Sequence, residues 1–209
     1  MPLTQLDETA RQILDAASRR FLHYGFKKTT MSEIADDCNM SPGNLYRYFP
    51  SKLDIAESFV QVLRRDQIIK LRAVLDHEDW TPARKLREFF LLKFKLAYER
   101  FHDNPKAFEL SAALISERPK LAIEWEASEG RILAGILREG EARGEFAVGN
   151  HPLKTAKILQ DAAFRFTSPA VFHEGDYDVL AEELHGVVDL ILDGFSWRAE
   201  KLQPSPNSH

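Results

Sequence analysis

The sequence predicts an all-α chain of about nine helices, a small three-helix domain followed by a larger helical one. Three observations carry this. Apolar residues recur at helical spacing over most of the length, as in Ala10, Ile13, Leu14, Ala17 and Phe21. The breaks between these runs hold helix punctuation, such as Asn104-Pro105, Arg118-Pro119 and Asn150-His151-Pro152. No alternating apolar–polar run of useful length suggests a strand.

The first helix is expected over 7–24, with Gly25 as its C′ residue and Phe26 folding back as the apolar partner. Thr30-Met31-Ser32-Glu33 reads as a capping box that opens a short second helix, whose apolar face is Met31, Ile34, Ala35 and Cys38. Asn39 suits the left-handed position that ends it. Ser41 is an N-cap and Pro42 a first helical residue, so a third helix covers 42–48. Ser51-Lys52-Leu53-Asp54 is a second capping box, opening a long helix over 52–76. Further helices are expected over 82–102, 104–116, 119–143, 152–168 and 177–199. The domain boundaries that follow are 1–52 and 53–200, with 201–209 a disordered tail.

Composition narrows the function. With 44% hydrophobic and 29% charged residues the chain has the balance of a soluble globular protein. One cysteine, Cys38, excludes an internal disulfide and fits a reducing cytoplasm. No signal peptide and no membrane-length apolar run appears, so no membrane partner is expected. Residues 1–52 carry seven Lys/Arg and six Asp/Glu, giving +1, while 53–209 carry 21 and 26, giving −5. That asymmetry alone would not single out nucleic acid. There is no HExxH, GxSxG, Walker loop or GxGxxG, and the seven histidines are too scattered for a local metal motif. Neither a catalytic residue nor a metal or cofactor site is expected.

Residues 30–49 hold two short capped helices joined by a turn of about four residues, the helix-turn-helix arrangement that offers its second helix to the DNA major groove. Leu45 and Phe49 lie four apart and face inward. Gly43, Asn44 and Arg47 then project outward, flanked by Tyr46 and Tyr48. Asn pairs with an adenine edge and Arg with guanine or phosphate; a tyrosine hydroxyl donates to phosphate. Gly43 allows close backbone approach. Lys52 and Thr30 stand at helix N-termini, where a phosphate is welcome. The candidate DNA-binding set is therefore Thr30, Ser41, Pro42, Gly43, Asn44, Tyr46, Arg47, Tyr48 and Lys52. The bland alternative is that the tyrosines only pack the small domain and that Lys27 and Lys28 form a solvated turn.

ILDAASRRFLHYGFKKTTMSEIADDCNMSPGNLYRYFPSK, from Ile13 to Lys52, resembles the N-terminal domain of the TetR family of bacterial transcriptional regulators. The family's marks stand in order: Tyr24-Gly25-Phe26, Thr29-Thr30, Ile34-Ala35, Met40-Ser41, Leu45-Tyr46-Arg47-Tyr48-Phe49 and Ser51-Lys52. Asn44 stands where the family often has Thr or Ala, which makes it a contributor to this protein's own base preference. The resemblance implies a homodimer on a palindromic double-stranded DNA operator, released when a small-molecule effector enters the C-terminal helices. It also implies a dimer interface on the last two helices, to which Ala163, Phe166, Leu184, Val187 and Ile191 are assigned. Candidate effector contacts are Phe90, Phe94, Tyr98, Phe101 and Trp125, with His102 and Arg165 as polar groups. Aromatic stripes at helical spacing are more often core than pocket. A protein-binding module with a structural helix-turn-helix, an activator and a ligand-independent regulator are the alternatives.

Overall fold

A computed structural model of the chain describes residues 7–149, 151–167, 172 and 175–202, with side chains described to residue 196. Among these residues nine α-helices follow one another and no strand occurs. They are α1 (Glu8–Tyr24), α2 (Met31–Asp37), α3 (Pro42–Tyr48), α4 (Lys52–Ala73), α5 (Pro82–Phe101), α6 (Pro105–Glu117), α7 (Pro119–Ala142), α8 (Pro152–Ala162) and α9 (Tyr177–Leu202). Short 3-10 stretches follow α4 at Val74–Asp76 and α8 at Phe164–Thr167. No described helix is long and apolar enough to cross a membrane.

The helix ends obey local chemistry. Asp7 accepts from the Ala10 amide and caps α1. Gly25 ends α1 at φ 96°, where an L side chain would be strained, and Phe26 meets Phe21 edge-on at 5.4 Å. Thr30 and Glu33 form the reciprocal capping box of α2, and Asn39 takes the left-handed φ of 52° beyond it. Asn104 caps α6, whose first residue is Pro105.

Packing divides the chain into two compact units, Met1–Asp66 with Arg100–Trp125, and Gln67–Glu99 with Glu126–His209. The expected boundary at residue 52 differs from this division for a physical reason. The core of the first unit holds Ile13, Phe21, Ile34, Leu45 and Phe49, but also Ile55 and Val60 from α4 and Leu110 and Leu114 from α6. Helices as short as α2 and α3 are marginal alone and draw their stability from such packing.

In the second unit, Phe89, Phe90, Phe94 and Phe172 are fully enclosed, with Leu133, Ile136 and Leu137 of α7 and Leu180, Leu184 and Val188 of α9 also buried. Gly130 leaves room for Gln160, whose Oε1 would lie 3.1 Å from an added Cβ. Gly140 does the same for the buried Phe146 ring. A polar cluster is also enclosed: the Glu129 carboxylate accepts from Gln67 at 2.9 Å and pairs with Lys93 at 2.7 Å. Such groups are tolerated inside because each charge is answered.

Two element expectations need correction. The helix expected over 152–168 stops at Ala162, and the tighter winding beyond it turns Phe166 inward while Phe164 and Arg165 face out. The last helix continues to Leu202 instead of ending at 199, so residues 201 and 202 are helical and not part of a tail. The remainder of the expected tail lies outside the described residues.

Candidate nucleic-acid interface

All nine candidate DNA-binding residues belong to the first unit. The seven-residue α3 is held from beneath by Leu45, which is fully buried, and by Phe49 just past its end. Ser41 caps it, accepting from the Asn44 amide at 3.2 Å. With the inner face fixed, helical spacing turns the others outward. Gly43 and Arg47 are exposed, Asn44 is half-buried and Tyr46 keeps 51% of its surface in solvent. Tyr48 sits differently: it is half-buried and packs on the core, which favours the packing role for this tyrosine.

An added Cβ at Gly43 would meet no atom within 4 Å. The chain's own fold therefore gives no reason for glycine there, and alanine is favoured in a helix by about 0.5–1 kcal/mol. Gly43→Ala should raise the melting temperature and weaken operator binding at once, as measured by thermal unfolding and DNA titration. A variant that gained stability without losing affinity would show that the groove does not come this close.

Two ion-paired clusters tie α1 to α2 and the α6–α7 junction to α4. The Arg20 guanidinium of α1 grips Asp37 with two hydrogen bonds, at 2.5 and 2.8 Å, and lies 3.3 Å from Glu33. Its hydrogen bond holds the Asp37 carboxyl below the usual carboxylate range, against the opposing cost of burial. The α6–α7 junction contributes Arg118, which donates to Asp54 at 2.5 Å and contacts Glu57. Burial works against ionising Asp54, but the bonds from Arg118 and Ser51 outweigh it and its pKa falls. A cleft of about 720 Å³ opens here, with Asn44, Arg47, Tyr48, Asp54, Glu57 and Arg118 in its lining. Ala10, Phe49 and Pro50 line it as well, so charged and apolar surface meet there.

Lys52 has partners within its own chain. Its ammonium donates to the carbonyl oxygens of Phe26 at 2.6 Å and Thr29 at 2.7 Å, with Lys27 O at 3.4 Å, and lies 4.5 Å from the Phe26 ring centre. Burial pulls its pKa below the usual lysine value, while Glu33 and Glu109 pull the other way. The group given to a phosphate by sequence is engaged by the protein's own backbone. Thr30 is exposed, but its hydroxyl already donates to Glu33 at 2.8 Å and caps α2.

The candidate effector residues are drawn from both units. Phe90, Phe94, Tyr98 and Arg165 belong to the second unit, Phe101, His102 and Trp125 to the first. Phe94, Tyr98, Phe172 and Tyr177 make an aromatic cluster with ring centres 5.1–6.2 Å apart. Phe172 and Tyr177 were missing from the sequence-based set, because only folding brings the residues before and at the start of α9 to α5. Arg165 lies outside this cluster, exposed and 3.3 Å from Glu183. Trp125 packs on the first unit's core under the Arg64 guanidinium, 4.7 Å from its ring centre. His102 stands beside Asp103.

The candidate dimer residues also separate. Ala163, Phe166 and Leu184 are buried within their own chain, so they are not available as an exposed seam; Val187 and Ile191 are half-buried. The outward face of α9 instead carries Val179, Gly186, Leu190 and Gly194, spaced by seven, four and four residues. Leu190 is 74% exposed and Phe164, just after α8, 66%; Ile158 of α8 is exposed as well.

Among the described residues no group of three or more His, Cys, Asp or Glu could hold a metal ion. Cys38 is half-buried, its thiol pKa raised by burial.

Comparison with known proteins covers most of the sequence. A family model for bacterial regulatory proteins of the tetR family matches residues 13–59, and one for a tetracyclin repressor-like C-terminal domain matches residues 82–188. The chain is 29% identical over 147 residues to the HTH-type transcriptional repressor KstR2 of Mycolicibacterium smegmatis, covering 69% of each. It is 26% identical over 186 residues to the HTH-type transcriptional repressor BepR of Brucella suis, covering 86% of this chain and 87% of that one. A solved structure of a TetR-family regulator from Mesorhizobium loti shares the fold with a TM-score of 0.72 at 17% identity, over 93% of this chain and 98% of the other.

Proposed function

Because the chain belongs to the TetR family of bacterial regulatory proteins, and so regulates transcription and is not an enzyme, we propose that it is a repressor that binds a palindromic operator as a homodimer. The observation that carries this is the outward face of α3, where Gly43, Tyr46 and Arg47 are exposed and Asn44 half-buried on a helix fixed from beneath. Repression is the action named for the similar KstR2 and BepR. The protein acts in the cytoplasm, on chromosomal DNA.

The second copy covers the outward face of α8 and α9. Ile158, Phe164, Val179 and Leu190 supply apolar surface there, and Gly186 and Gly194 allow two helices to approach closely. The effector is a small apolar or aromatic compound received near Phe90, Phe94 and Tyr98. The support is the concentration of aromatic surface around Phe94. By linkage such a compound must prefer the state that does not bind DNA, and that preference bounds the response.

Asn44→Ala tests the reading most simply. It should shift base preference at one position of each half-site by about 1–3 kcal/mol while leaving the fold intact, as seen by selecting DNA with both proteins. Identical preferences would remove Asn44 from base recognition. In the same titration, apolar and aromatic compounds should lower operator affinity; no effect across such a panel would remove the effector from the proposal.

A further inference from the structure

We propose that Lys52 is a positioning residue for DNA binding, which acts by gathering the carbonyls of residues 26–29 and not by touching a phosphate. An ammonium has three protons. Here they are directed at Phe26 O, Thr29 O and Lys27 O, with the Phe26 ring closing the site. These carbonyls lie between the end of α1 at Tyr24 and the start of α2 at Met31, beyond the reach of either helix's own ladder. The turn is otherwise closed by Thr29, whose amide and hydroxyl both donate to Gly25 O, at 3.3 and 3.0 Å.

The consequence is geometric. Lys52 is the first residue of α4, and the turn it holds leads directly into Thr30, the cap of α2. One ammonium thereby fixes the entry of the helix-turn-helix to the helix that follows it. With the carbonyls drawn inward, Lys27 and Lys28 remain exposed on the outside of the same turn. They are the cations placed for phosphate. Moving Lys52 to a phosphate would leave its carbonyl partners short of donors.

The salt dependence of binding separates the two roles. This inference rests on the DNA-binding reading above, so the wild-type protein is titrated first on a selected operator; absence of specific binding there would count against that reading and not against Lys52. Each phosphate contact contributes about 0.9 to the slope of log K against log salt. Lys52→Met should bind roughly tenfold more weakly, with the slope unchanged and a lower melting temperature. Lys52→Arg keeps the charge but its planar fork does not fit three converging carbonyls, so it too should bind more weakly at an unchanged slope. A slope reduced by about 0.9 in Lys52→Met, or full affinity in either variant, would overturn the proposal. Should Lys52→Met fail to fold, Lys52→Arg decides alone.

Discussion

Leu190→Glu is expected to split the proposed dimer and weaken binding to a full palindrome by about 100-fold or more, because two linked half-site contacts become one. The side chain is 74% exposed within its own chain, so a charge there costs the folded subunit little. Across a two-fold axis the same charge meets an apolar surface, and its copy, with water excluded. The expected signature is a single-chain species by sedimentation, with normal helix content and half-site affinity retained. Gly186 and Gly194 strengthen the expectation, since each has open space where a side chain would stand on the same face. A Leu190→Glu protein that remained dimeric would move the interface elsewhere.

The second large effect is at Leu45. This residue is fully buried beneath a helix of only seven residues. Leu45→Ala should cost about 2–5 kcal/mol, a transfer loss plus the cavity left behind. That is a large share of a typical total stability of about 5–15 kcal/mol. Helix α3 has too few turns to persist without this anchor. Operator affinity should therefore fall along with unfolding temperature, although Leu45 touches no DNA. Chemical denaturation and operator titration on the same sample check both. A folded, full-affinity Leu45→Ala would mean that α3 is held by something other than its inner face.

The contrast between Leu45 and Lys52 shows how far the amino-acid order could be read. Leu45 and Phe49 were legible because four-residue spacing defines a helix face locally. The caps at Thr30 and Ser41 and the left-handed Asn39 were legible for the same reason: each bonds or bends within a few residues. The partners of Lys52 stand 23 to 26 residues earlier, and those of Arg118 on a different helix. Nothing in the spacing announces such contacts.

The inner and outer sides of α9 were hard to tell apart for another reason. Val187, Val188, Leu190, Ile191 and Leu192 are nearly continuous, so periodicity could not choose between the inner and outer sides of α9. Only burial of Leu184, Val188 and Leu192 leaves Leu190 outward. The aromatic set mixed two cores because Trp125 and Phe94 look alike in sequence, although packing assigns them to different units.

The most direct test of the central claim is a selection of genomic fragments by the purified protein at moderate salt. The account predicts enrichment of one palindromic sequence, with half-sites about a helical turn or more apart and two chains bound per site. Salt-sensitive binding with no sequence preference would contradict it.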